Sequence, residues 1–155
     1  MWVSVSSGQR HIEFPFDSKS SAPIIPNQPA PPLTEMYVYE VESSNCGVEN
    51  TVGVSTTGCD HGGSMLRARV LEIGYGSSRI AWMGGGTLPG SALVSSNMVC
   101  DDGFGGLVIP CSADQTVVGW FLEYNLDGNQ NGFFRYQNTS TNSPFNTMSV
   151  QISIL

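Results

Sequence analysis

From residue 34 onward, apolar and polar positions along the chain alternate with a period of two. Tyr37, Tyr39 and Val41 alternate with Val38, Glu40 and Glu42. The segment Leu66–Ile73 begins the same way, with Arg67 and Arg69 set between Leu66, Ala68 and Val70, and ends apolar on both faces. Residues 79–83 and 91–94 are shorter candidates, separated by Gly84, Gly85 and Gly86 and by a Pro89-Gly90 turn. Residues 116–124 are rich in Val and aromatics and predict a central strand, and 133–138 are expected to pair with it as a hairpin. The last segment alternates most cleanly: Met148, Val150, Ile152 and Ile154 face one way, Ser149, Gln151 and Ser153 the other. A period of two marks strands that bury one face. No segment carries a helical period; residues 64–73 read better as a strand, being β-branched and bounded by glycines. The pattern therefore predicts an all-β fold, an antiparallel β-sandwich or open barrel of about seven or eight short strands.

Residues 1–33 follow a different pattern. Between Ala22 and Pro32 five of eleven positions are proline, which restricts φ and removes backbone donors. This stretch predicts a Pro-rich N-terminal tail, largely extended or disordered. Ile12, Phe14 and Phe16 alternate within it and offer a short edge strand as the other reading. Residues 34–155 are expected to form the single domain.

Composition narrows the class of protein. Only 12% of residues are charged, and the net charge is −7. All the excess lies in residues 34–155, where eleven acids face Arg67, Arg69, Arg79 and Arg135, with no lysine. A nucleic-acid backbone or an anionic membrane surface calls for clustered Lys and Arg, so neither is an expected partner. No run of apolar residues is long enough to span a bilayer. Met1 precedes Trp2 and a Ser-rich stretch without a basic start or an apolar run, so no signal peptide is read in this chain.

The four cysteines fall into two local pairs, Cys46 with Cys59 and Cys100 with Cys111. Three connectivities are possible. The local one is favoured because each pair would close a Gly- and Ser-rich loop, worth about 2.5–3 kcal/mol in the chain-entropy model. Neither spacing suits a structural zinc site. Disulfides imply an oxidising compartment, so the protein is expected to be secreted or periplasmic.

Three segments together carry a family resemblance. They are Asn45-Cys46-Gly47 followed by Cys59-Asp60-His61-Gly62-Gly63; Val70-Leu71-Glu72-Ile73-Gly74-Tyr75-Gly76; and the run from Tyr136 through Asn142, Ser143, Pro144 and Phe145 to Thr147. With these the chain resembles the YolA-like family of small secreted bacterial proteins, a domain of unknown function, over residues 34–155. The resemblance implies export from a bacterium and supplies no activity.

Several constellations could carry chemistry. Asp127, Asn129 and Asn131, with Gly132 after them, fit the opening of a calcium loop, although Asn138 stands where a bidentate glutamate is expected. An Asp-Gly and Asn-Gly turn is the plainer reading. His61 beside Asp60 is the most enzyme-like feature, with Glu72 or Glu123 on nearby strands as a carboxylate partner. A loop histidine holding a structural hydrogen bond, and strand acids facing solvent, are the bland alternatives. Trp82, Trp120, Tyr124, Phe133, Phe134, Tyr136 and Phe145 lie among neutral polar residues, as sugar-binding platforms require. Alternation also demands that about half of such rings be core.

Function is then expected to be non-enzymatic. The chain reads as a secreted module binding a glycan or an extracellular protein, its contact surface between residues 125 and 147 and formed by Tyr124, Phe134, Tyr136, Asn138 and Phe145. A small extracellular hydrolase using His61 with Glu72 or Glu123 is the first alternative. A calcium-stabilised structural or antigenic surface protein is the second. No other cofactor is expected.

Overall fold

Strand β4 (Leu66–Ile73) shows why the chain forms two layers. Its Leu66, Ala68 and Val70 point into one core, while Leu71 and Ile73 point into another on the opposite face. A strand that is apolar on both faces must be covered on both. The computed structural model describes residues 10–12, 31–104, 106–129 and 132–155. Among them β1 (Arg10–Ile12), β8 (Leu107–Ile109), β7 (Leu93–Asp101), β9 (Thr116–Asn125), β4, β2 (Glu35–Ser43) and β3 (Gly47–Asn50) form a seven-stranded antiparallel sheet in that order. This sheet curls into a half-barrel. A second antiparallel sheet contains β11 (Thr147–Ile154), β10 (Gly132–Thr139), β5 (Ile80–Met83) and β6 (Gly86–Thr87).

The first core fills the space between the sheets. Val38, Val41, Leu66, Val70, Leu122 and Tyr124 of the large sheet meet Ala81, Met83, Phe134, Tyr136, Ile152 and Ile154 of the small one. The second core lies in the hollow of the curl, where Tyr39, Leu71, Ile73, Val99, Val118 and Phe121 gather with Ile12, Leu107 and Ile109. Full burial of each large apolar side chain contributes about 1.5–3 kcal/mol, which makes these two clusters the main source of stability.

All seven segments read from the pattern contain strand, although of residues 91–94 only Leu93 and Val94 do, and four short strands join them: β1, β3, β6 and β8. β7 runs well beyond residues 91–94, because Ser95, Ser96 and Asn97 break the apolar alternation while their backbones still pair with β9. Gly90–Ala92 forms a single 3₁₀ turn before it.

The expected hairpin of residues 116–124 with 133–138 does not form. β9 pairs with β4 and β7, whereas β10 pairs with β5 and β11 in the other sheet. The connection between them is a crossing from one layer to the other. Leu126 is fully buried at its start, and its amide donates to the Leu66 carbonyl. An Asp-Gly signal reports a turn, but it carries no information about which sheet receives the next strand.

Both local disulfides are present. Cys46–Cys59 spans the β2–β3 turn and the loop after β3, and Cys100–Cys111 closes the base of the β7–β8 hairpin. At the N-terminal end, β1 adds to the free edge of β8 and brings Arg10 to Glu40 at 2.7 Å, its guanidinium lying over Tyr39 and Phe121. Residues 13–30, with Phe14, Phe16 and four of the nine prolines, lie outside the described residues. Residues 31–34 pack on the end of β4: the Thr34 amide donates to Ile73, and Leu33 is buried. Gly74 permits this approach. Its φ is 104°, and a Cβ there would lie 2.1 Å from the Pro32 carbonyl oxygen.

Candidate binding face and buried polar clusters

β10 decides which aromatics meet solvent. Phe134, Tyr136 and Asn138 point inward and are fully buried, while Phe133, Arg135 and Gln137 point outward. The outer row continues across the sheet. Arg135 stands opposite Trp82 of β5 and Gln151 of β11, and Gln137 stands opposite Ile80 and Ser149. The Arg135 guanidinium stacks 4.9 Å from the Trp82 ring centroid and donates to Gln137 Oε1 at 3.2 Å. Phe133 is 59% exposed. This outer face therefore offers two rings, one cation and two side-chain amides on a regular antiparallel surface.

Of the five side chains expected to form a contact surface, four lie inside the sandwich: Tyr124, Phe134, Tyr136 and Asn138. Phe145 alone of these is exposed, at 63%, and it holds φ at 56°, a conformation that costs an aromatic residue free energy. Strand parity separates the two groups, since a shift of one residue exchanges the faces. Phe133 and Trp82, which lie on the outer face, were among the aromatics that the sequence singled out.

Glu72 lies in the first core, fully buried, on the same face of β4 as Val70. Tyr136 donates its hydroxyl to Oε1 at 2.6 Å, Asn138 Nδ2 approaches both oxygens at 3.1 and 3.3 Å, and Arg79 Nη2 stands 3.6 Å from Oε2. Burial, then the Glu72 charge, drives the Tyr136 hydroxyl well above the usual phenol range, so it stays a donor. The carboxylate ties β4 to β10 across the two layers. The protein's own donors enclose it, and none of its surface meets solvent.

His61 is also fully buried. Its Nδ1 meets Ser43 Oγ at 2.8 Å and its Nε2 meets Glu49 Oε1 at 2.8 Å, while its amide donates to the Leu155 carbonyl. Glu49 accepts the Gly58 and Cys59 amides as well. Burial raises the Glu49 pKa, but these amide bonds and the histidine outweigh it and hold the carboxyl below the usual range. A hydroxyl, an imidazole and a carboxylate are thus in line, yet reversed from a nucleophilic triad, where Nε2 faces the serine. Ser43 is 2% exposed and its oxygen also accepts the Cys46 amide. The cluster joins β2, β3, the Cys46–Cys59 loop and the C-terminal end of the chain. No local signal in the sequence links Ser43 or Glu49 to His61; the contacts arise from the pairing of β2 with β3.

Glu123 lies on the other face of the large sheet, away from His61 in its bonding. It accepts from Arg69 at 3.1 Å and pairs with Arg67 at 3.5 Å. Arg69 also reaches Glu40 and Glu42, and Glu40 reaches Arg10, forming a ladder of alternating charge across β1, β2, β4 and β9. Asp127 ends this ladder. Its carboxylate accepts the Leu66 amide at 2.8 Å and pairs with Arg67. Its Oδ1 therefore serves the end of β4. Asn129 is exposed beside it, and Asn131 lies outside the described residues. Among the described residues no group of three His, Cys, Asp or Glu side chains could hold a metal ion.

No helix among the described residues is long and apolar enough to cross a membrane. Neither curated proteins nor solved structures give a match to the chain. A family model described as a domain of unknown function, DUF4879, matches residues 27–154 and so covers β2 to β11, most of both sheets; the chain belongs to that family.

Proposed function

We propose that this protein is an exported bacterial binding module without catalytic activity, and that the outer face of the small sheet takes a glycan. The observation that carries this reading is the row formed by exposed Phe133, the Trp82–Arg135 stack, Gln137 and Gln151. A sugar ring presents an apolar face bordered by hydroxyls, and flat rings with neighbouring amides complement both. An arginine already stacked on its tryptophan adds donors at little cost in side-chain freedom. The two disulfides and the low charge of the chain are compatible with an oxidising, extracytoplasmic setting. The resemblance to the YolA-like family of secreted proteins supports the same location.

A glycan array probed with the wild-type protein, followed by titration of the best hits, tests the reading. Trp82→Ala and Phe133→Ala are each expected to weaken binding at least tenfold while the fold is retained. An array that stays blank, or binding that survives both substitutions, would count against it. The hydrolase alternative draws its support from the Ser43–His61–Glu49 arrangement. Its weakness is the burial of the hydroxyl, and release of product from a panel of esters and glycosides would revive it.

A further inference from the structure

A concavity lies beside the segment that carries the chain from β6 to β7. It has a volume of about 260 Å³, and its walls include Ala81, Leu88, Pro89 and Leu93, with Arg79 and Tyr124 as its chief polar side chains. Arg79 is partly buried there, its side chain 29% exposed. Its contacts are an ion pair with Glu72 at 3.6 Å, too long for a hydrogen bond, and the Trp120 ring at 5.5 Å. Its buried Nε has no hydrogen-bond partner among the described residues.

This situation is unusual. A guanidinium carries five N–H donors and no acceptor, and buried donors in folded proteins are nearly always paired. Glu72 does not satisfy Arg79 Nε, since the approach between the two side chains is Nη2 to Oε2 at 3.6 Å. Tyr124 adds a hydroxyl that burial keeps protonated, its pKa pushed up to about 12. No Asp or Glu is among the lining residues, so the local chemistry is that of donors within apolar walls, although the chain as a whole is acidic.

We propose that this concavity binds a small organic acid, its carboxylate on Arg79 and Tyr124 and its apolar body against Leu88, Pro89 and Leu93. The ligand must be small, since the volume falls just below that of pockets for drug-sized molecules. A carboxylate is favoured over a hydroxyl because a charged acceptor forms stronger bonds to a guanidinium. The site is separate from the outer face of the small sheet and does not depend on that reading.

Hexanoate is a suitable probe, with hexanol as its neutral twin and hexylammonium as its cationic one. Titration of the folded chain is followed by two-dimensional NMR at the Arg79 Nε–H resonance. Hexanoate is expected to shift it saturably and to bind roughly tenfold more tightly than hexanol, with hexylammonium showing no effect. Leu93→Trp, which fills the concavity, should abolish the shift; Leu88→Trp serves if that variant does not fold. The proposal is overturned by a response to hexanoate that never saturates, by hexanol binding as well as hexanoate, or by a folded, filled variant that binds unchanged.

Discussion

Glu72 shows how one residue can change role with its surroundings. On a solvent-facing strand it would be an ordinary acid. Here it is fully buried, and Tyr136, Asn138 and Arg79 surround it. Removing one partner of a buried charge leaves the other uncompensated. Glu72→Gln is therefore expected to lower stability by about 3–5 kcal/mol, and Tyr136→Phe by about 1.5–3 kcal/mol, both read as the shift of urea unfolding. The burial of Glu72 was legible in part. It shares parity with Leu66, Ala68 and Val70, so the apolar face of that strand already included it. What parity could not supply was the set of donors from β10, over sixty positions away. Glu49 gives a prediction in pH. Its carboxyl lies below the ordinary value of 4.5 in the folded chain. The stability it contributes is thus fully present above that value and is lost as pH falls through the lower, folded one. Unfolding monitored from pH 6 down to pH 3 should show this slope, and Glu49→Gln should flatten it; an unchanged slope would remove Glu49 from the account.

At the scale of elements, the close seams between strands set the tolerances. Gly119 lies in the middle of β9 opposite Ile73, and a Cβ there would approach the Glu72 carbonyl oxygen to 2.1 Å. Gly119→Ala should destabilise by about 1–3 kcal/mol or more, since backbone is the obstacle. Gly90→Ala is the control, because a Cβ at that position meets nothing within 4 Å; its effect should stay within about 0.5 kcal/mol. The disulfides act at the same scale. Cys100–Cys111 clamps one hairpin and leaves both cores to the side chains. Replacing both cysteines by serine should cost about 2.5–3 kcal/mol, seen as a lower urea midpoint, with the strands still formed. Strand locations and these cysteine pairs were readable because they are local. The destination of β10 was not, because a turn sequence is the same whether the chain folds back on its own sheet or crosses to the other. The short strands β3, β6 and β8 left no clear pattern either, since so few residues hardly show a period, and at β1 only the alternation from Ile12 hinted at an edge strand.

At the scale of the molecule, stability and recognition fall on different faces of the same strands. Phe133 stands 59% exposed while its neighbour Phe134 is fully buried. Phe133→Ala should therefore change the melting temperature little, with a stability cost within about 0.5 kcal/mol. Phe134→Ala should cost about 3–5 kcal/mol. A comparison of thermal melts checks this partition, and an equal loss from both would show that the outer face is also structural. By itself the sequence determined the class of fold, the places of most of the strands, the two local disulfides and the small number of basic residues. Each of these depends on neighbours close along the chain or on composition. Only the tertiary structure decided which aromatics are core and which are surface, which donors surround Glu72, that His61 is enclosed by Ser43 and Glu49, and that Arg79 opens onto a concavity. Those outcomes depend on which strand lies beside which and on which layer covers each face. Such pairings are settled by packing the whole chain at once, and a local pattern cannot contain them.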